Sequence, residues 1–169
     1  MTLADSTHPR LLVPRLRGPD VAGVIQELCQ AMQREGCVPD LLPFYHSVLN
    51  REYLVSTSIE VGIAFPHARL PGLADVTFAF GRCQPPLVWH QQSSPPVSMV
   101  FLAAVPATDS TRYLALLAGI TRLAQDANLL AQLHAADDAT AIHEFFQQVP
   151  VRAVASARQR VVDEKPLLK

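Results

Sequence analysis

The chain has 169 residues, enough for one domain with a sizeable hydrophobic core. Its 14 Lys and Arg against 15 Asp and Glu leave a net charge of −1, which argues against the basic surface of a nucleic-acid-binding protein. Cys29, Cys37 and Cys83 show no Cys-x-x-Cys spacing, and the longest apolar run, Val97 to Val105, falls far short of the ~20 residues of a spanning helix. A disulfide framework, a thiolate metal site and membrane insertion are therefore not expected.

Residues 1–9 read as disordered, followed by a domain over 10–150 and a C-terminal extension over 151–169. Leu11-Leu12-Val13 predicts a strand ended at Pro14 or shortly after. Asp20 caps a helix to Glu35, with Val21, Val24, Ile25, Leu28 and Met32 recurring at three and four and Gly36 stopping it. A second helix starts near Asp40 and runs to about Tyr53, which places Arg51 and Glu52 in its last turn. Ile59 to Phe65 gives a loop and a short strand, and Val76 to Arg82 alternates as a strand. Pro85-Pro86 and Ser93-Ser94-Pro95-Pro96 bracket a short element at Leu87-Val88-Trp89, read as shaping an edge or an oligomer contact. Val97 to Ala104 is apolar on nearly every position, so it is placed at the centre of a sheet covered on both faces. Helices follow from Asp109 or Ser110 to Gln125, from Asn128 to His134, and from Asp137 or Asp138 towards Pro150. The alternation predicts an α/β sandwich, with a mixed central β-sheet flanked by helices on both faces.

The most informative stretch is Gly62-Ile63-Ala64-Phe65-Pro66-His67-Ala68-Arg69. Pro66 fixes its own φ and holds Phe65 extended, so His67 is expected just past a strand, in the turn that Pro66 enforces. Upstream lie Arg51, Glu52 and Ser56-Thr57-Ser58. An imidazole supplies a nucleophile at neutral pH and guanidinium forks match phosphate oxygens, a set suited to a histidine that carries a phosphoryl group. The plain alternative for Arg51 is a solvated helix end or a salt bridge to Glu52 or Glu60. His46, His90, His134 and His143 have no metal spacing.

The run Arg51-Glu52-x-x-x-Ser56-Thr57-x-Ile59-x-x-Gly62-Ile63-Ala64-Phe65-Pro66-His67-Ala68-Arg69 resembles the signature of enzyme IIA domains of the bacterial phosphoenolpyruvate-dependent phosphotransferase system, in its fructose, mannitol and nitrogen-regulatory class. Val100-Phe101-Leu102-Ala103-Ala104-Val105-Pro106 followed by Tyr113-Leu114-x-Leu116-Leu117 resembles the second block of that family, and the likeness spans roughly residues 10–148. The resemblance implies that His67 accepts a phosphoryl group from a histidine-containing phosphocarrier protein. The group then passes to a IIB domain, or the phosphorylation state itself signals to a regulatory target. Arg51 would be the phosphate-stabilising cation, and Arg69 would face the phosphate or the partner. Tyr113, at the position of the family's second histidine, would touch the phosphoryl group, while Glu52 and Phe65 would belong to the binding surface, with Phe65 docking the carrier. No metal or organic cofactor, no nucleic acid and a cytoplasmic location are implied, with the oligomeric state left open.

Three departures stand out. The family's Ser-Thr-Gly-Ile-Gly-Asn-Gly reads here as Ser56-Thr57-Ser58-Ile59-Glu60-Val61-Gly62, which loses two flexible positions and one small polar one. Glu60 adds negative charge near a site that should hold a dianion. Tyr113 carries no positive charge near neutral pH. A second reading follows from these, a IIA-like interaction module that no longer relays phosphate.

Overall fold

The computed structural model describes residues 1–91 and 95–152. Val97–Pro106 (β5) is apolar at nearly every position because it runs through the middle of the molecule with both faces buried. It belongs to a five-stranded sheet in the order Leu12–Leu16 (β1), Thr77–Leu87 (β4), β5, and then Ile63–Ala64 (β2) with His67–Leu70 (β3) along the far side of β5. β4 and β5 pair antiparallel, and the other pairs are parallel, so the sheet is mixed as expected.

Alternation along the strands sends side chains to two cores. Phe78, Phe80, Met99 and Phe101 face Thr111–Gln125 (α3), Ala127–Ala135 (α4) and Ala139–Phe146 (α5), through Leu116, Ile120, Leu133, Ile142 and Phe146. Ala79, Val100, Leu102 and Ala104 face Val21–Arg34 (α1) and Leu41–Leu54 (α2), through Ile25, Leu28, Met32, Phe44 and Val48. Small residues on this second face bring α1 and α2 close to the sheet. Each fully buried Leu or Phe contributes about 2 kcal/mol of transfer free energy. Caps hold the helix ends: the carboxylates of Asp20, Asp126 and Asp138 accept first-turn N–H groups, and Gly36 takes the left-handed φ of +72° that ends α1.

Several expectations need correction. Residues 1–9 are ordered: Leu3–Ser6 form a 3₁₀ turn, Leu3 is 0% exposed, and its N–H donates to the Val149 carbonyl at 2.9 Å. Leu3 in the α3–α5 core, the Val151 N–H on the Met1 carbonyl and the Thr7 hydroxyl on the Phe78 carbonyl tether a segment with no periodic pattern. β1 ends at Leu16, shortly after Pro14 as expected; as an edge strand it tolerates the missing N–H without losing a ladder bond. β4 likewise continues through Pro85-Pro86 to Leu87, with an irregular register between Arg82 and Leu87 absorbing the prolines. Leu87-Val88-Trp89 is therefore no separate element. Most of the expected extension, residues 153–169, lies outside the described residues.

Candidate functional site

β2 and β3 are one strand interrupted. Ile63 lies opposite Met99 and His67 opposite Ala103, the same register on both sides of Phe65-Pro66. Pro66 has no N–H to donate, which breaks the ladder for two residues, while its carbonyl still accepts from Ala103 N–H at 3.0 Å. His67 thus opens a strand at the exposed edge of the sheet; it does not stand in a turn past the strand. A strand gives the ring a backbone stiffer than a loop would.

Two helix ends meet that ring. Arg51, in the last turn of α2, donates its Nε–H to Nε2 of His67 at 3.0 Å. Tyr113, in the first turn of α3, brings its hydroxyl to 3.3 Å from the same nitrogen. On the ring's other side, Nδ1 lies 3.0 Å from the Phe65 carbonyl oxygen. A carbonyl only accepts, so Nδ1 carries the proton and Nε2 presents its lone pair. Burial pushes the imidazole below its ordinary value of 6.5, the Phe65 carbonyl opposes this, and the Arg51 and Arg69 charges add to it. The ring is neutral at pH 7. Burial raises the Tyr113 phenol, which stays a donor. Nε2 opens on a cleft of about 420 Å³ lined by Ser47, Arg51, Arg69 and Tyr113. The arrangement is a ring nitrogen with its lone pair turned to a pocket that holds two guanidinium groups.

Glu52 points the other way. It is buried at 4% exposure and accepts from Thr57 N–H at 2.8 Å, from the Thr57 hydroxyl at 2.9 Å and from Trp89 Nε1–H at 2.6 Å. The Thr57 hydroxyl oxygen accepts in turn from Phe65 N–H at 2.8 Å. Glu52 is thus no salt-bridge partner of Arg51 and does not line the cleft. Trp89 is no edge or oligomer contact either: it is 6% exposed, with its indole on that carboxylate. Phe65, at 6% exposure, is a core residue packed between Phe101 and Tyr113 and offers no docking surface.

The departures in the loop fall away from the cleft. Ile59-Glu60-Val61-Gly62 is a tight turn closed by Gly62 N–H on the Ile59 carbonyl at 3.1 Å, with Gly62 at φ +79°. Glu60 and Val61 are exposed, and the charges that bear on the His67 ring are those of Arg51, Glu52 and Arg69. The residues that sequence reasoning missed are Ser47 on the cleft wall and the partners of Glu52. A Thr two residues beyond the helix C-cap was the one visible signal for the latter.

A larger cleft of about 560 Å³ is lined by Arg15, Arg82, Ser98, His134 and Asp137. Ser98 precedes Ala103 by five positions on β5, roughly 17 Å along the strand. There Arg82 donates to the carbonyls of Pro14, Leu133 and His134, capping the C-terminus of α4. Among the described residues no three His, Cys, Asp or Glu side chains are arranged to hold a metal ion, and no helix is long and apolar enough to cross a membrane.

Comparison with known proteins places the chain in a family. The family model described as phosphoenolpyruvate-dependent sugar phosphotransferase system, EIIA 2, matches residues 7–149. A nitrogen regulatory protein of Bradyrhizobium diazoefficiens is 30% identical over 90% of this chain and 99% of its own length. The crystal structure of nitrogen regulatory protein IIA-Ntr from Neisseria meningitidis superposes with a TM-score of 0.70 at 21% identity, covering 85% of this chain and 98% of that one. Enzyme IIA mannitol of Escherichia coli, solved in complex with phosphorylated enzyme IIB mannitol, gives 0.67 at 13% identity over 82% of this chain and 94% of its own. The chain belongs to the EIIA type-2 family of phosphotransferase-system proteins, the phosphoryl-carrier components of that system.

Proposed function

We propose that this chain retains phosphoryl transfer and that Nε2 of His67 is the atom that carries the group. The observation that supports it most is the convergence on one ring: Nδ1–H held on the Phe65 carbonyl, and Nε2 facing a cleft beside Arg51 and Tyr113. In the forward step the Nε2 lone pair attacks phosphorus of the donor's phosphohistidine. The new N–P bond forms as the donor's N–P bond breaks, and the donor keeps the electron pair as a free imidazole. Arg51 leaves the lone pair and turns its donors to the phosphoryl oxygens, where a guanidinium fork offsets developing charge. Phosphoryl transfer has a loose transition state, so this positioning and charge compensation supply most of the acceleration. Nδ1 keeps its proton throughout, so the phosphorylated ring is cationic and leaves readily in the next transfer.

The donor is a histidine-containing phosphocarrier protein in the cytoplasm. The domain is of the nitrogen-regulatory type, a reading supported by the match over nearly the whole length of a nitrogen regulatory protein. A IIB domain is the recipient in the sugar branch, as the E. coli mannitol complex illustrates. Exposed Leu54, Val55, Ile59 and Val61, between Arg51 and His67 in sequence, provide apolar surface that Phe65 does not. Weak, transient docking suits a relay that must release each partner.

Incubation with phosphoenolpyruvate, enzyme I and the phosphocarrier, read by intact mass, is the test. A phosphate-sized gain in the wild type, absent in His67→Ala, is expected. No gain with a demonstrably charged donor overturns the relay and leaves the interaction module.

A further inference from the structure

We propose that Trp89 is a positioning residue for His67: its indole anchors a buried relay, Trp89–Glu52–Thr57–Phe65, that holds the ring in its Nδ1–H tautomer. The inference rests on His67 being the phosphoryl acceptor, and deepens that reading by naming what keeps the acceptor nitrogen unprotonated.

Glu52 is the one buried charged side chain among the described residues, and a buried carboxylate is tolerated when its lone pairs are used. Here the donors are Trp89 Nε1–H, Thr57 N–H and the Thr57 hydroxyl. The hydroxyl has a single proton and Glu52 takes it, so the oxygen can only accept from Phe65 N–H. That gives the relay a direction. Phe65 is then held at its N–H by Thr57, and Pro66 fixes the backbone that follows. The Phe65 carbonyl is thereby aimed at Nδ1 of His67. Trp89 reaches this chain of contacts from the β4–β5 connection, 37 positions from Glu52. Without the indole, Oε1 of Glu52 loses its shortest contact, and the carboxylate no longer has a fixed place from which to orient Thr57. The Phe65 carbonyl then wanders, and the tautomer with the proton on Nε2 becomes populated. In that tautomer Nε2, the nitrogen facing the cleft, has no lone pair to offer phosphorus.

The test is ¹⁵N NMR of the His67 ring at neutral pH, which needs no phosphate donor. Trp89→Phe fills most of the indole volume without the N–H. It is expected to move both ring-nitrogen shifts towards the Nε2–H tautomer and to slow phosphoryl uptake about tenfold, as small misplacements of a nucleophile do. Arg51 favours the same tautomer from the other side, so the pair of spectra is repeated in an Arg51→Ala background, where the displacement should be larger. Ring shifts equal to those of the parent in both backgrounds overturn the proposal. Should Trp89→Phe not fold, Thr57→Val and Thr57→Ser read the relay one step on: Val reproduces the displacement, Ser restores the parent spectrum, and a parent-like spectrum in Val overturns it. If the wild type never takes up phosphate while Trp89→Phe shows the displacement, the phosphoryl reading is sunk and the positioning role stands. A wild type that is phosphorylated, with no displacement in the variant, does the reverse.

Discussion

In the cleft at the open edge of the sheet, Arg51 directs its Nε–H to a ring nitrogen. In the larger cleft towards the other end of β5, Arg82 directs its donors to three main-chain carbonyls. Both clefts hold two arginines and a histidine, and the larger has the greater volume. Volume and positive charge therefore do not single out the site. The difference lies in what the guanidinium can let go of. Arg82 closes the end of α4 and stays there, whereas Arg51 rests on a lone pair that an incoming phosphorus atom would claim. His134, in the larger cleft, meets Arg82 through its backbone carbonyl; His67 meets Arg51 through its ring.

Substitution of the two arginines gives opposite outcomes. Arg51→Ala is expected to lower the rate of phosphoryl uptake by about 10²–10³, some 3–4 kcal/mol of lost charge stabilisation, with little change in Tm. Arg82→Ala is expected to cost about 2 kcal/mol of stability, because the α4 carbonyls lose a charged donor, and to leave the uptake rate unchanged. Thermal melts and single-turnover uptake, measured on the same two samples, check both. If Arg82→Ala slowed uptake as much as Arg51→Ala, the larger cleft would belong to the function and the contrast would collapse.

Acidification acts on the first cleft through His67. Its folded value lies below the ordinary 6.5, so the unfolded chain binds the proton first as pH falls. Stability is then lost with falling pH from about 6.5 down through the lowered folded value, and recovered as pH rises, since the unfolded state holds more protons in that window. Uptake follows the neutral ring: its acid limb lies below the usual imidazole range and falls about tenfold per unit beyond it. A pH–rate profile centred at or above 6.5 would show that the ring is not held neutral as the burial and the two guanidinium groups require.

The fold was legible wherever a single pattern decided an element. The continuous apolar run of β5, the 3.6-residue repeat and Asp20 cap of α1, and an Asp cap on α5 (Asp138 of the pair Asp137 and Asp138) each use one local rule, and each is observed. Prolines misled in β4, because whether a missing N–H matters depends on which side of the strand has a partner, and the sequence does not show partners. Leu3 was invisible for the same reason: its pocket is made by α3 and α5. Arg51, His67 and Tyr113, which the family resemblance put in one site, do come together at the His67 ring. The resemblance gave Glu52 to the binding surface, but adjacent helix residues point about 100° apart, and with Arg51 on the cleft Glu52 is sent into the core. Trp89 could not be paired with it from sequence alone, since the contact crosses from α2 to the β4–β5 connection.

The smallest expected effect is the sharpest check on how the loop is understood. Glu60→Gly puts back the glycine that the family resemblance leads one to expect and removes a negative charge. If Glu60 acted on the site as its sequence position suggests, uptake would rise. It sits on an exposed turn, is not among the charges that bear on His67, and does not line the cleft. An exposed charge at that remove is screened over roughly 8 Å at physiological ionic strength. Uptake by Glu60→Gly should therefore stay within about twofold of the wild type, and stability within about 0.5–1 kcal/mol, the loss coming from glycine's freedom in the unfolded chain. A rise of tenfold or more in single-turnover uptake at low salt, abolished at high salt, would place Glu60 within electrostatic reach of the transferring group and bring the loop into the site.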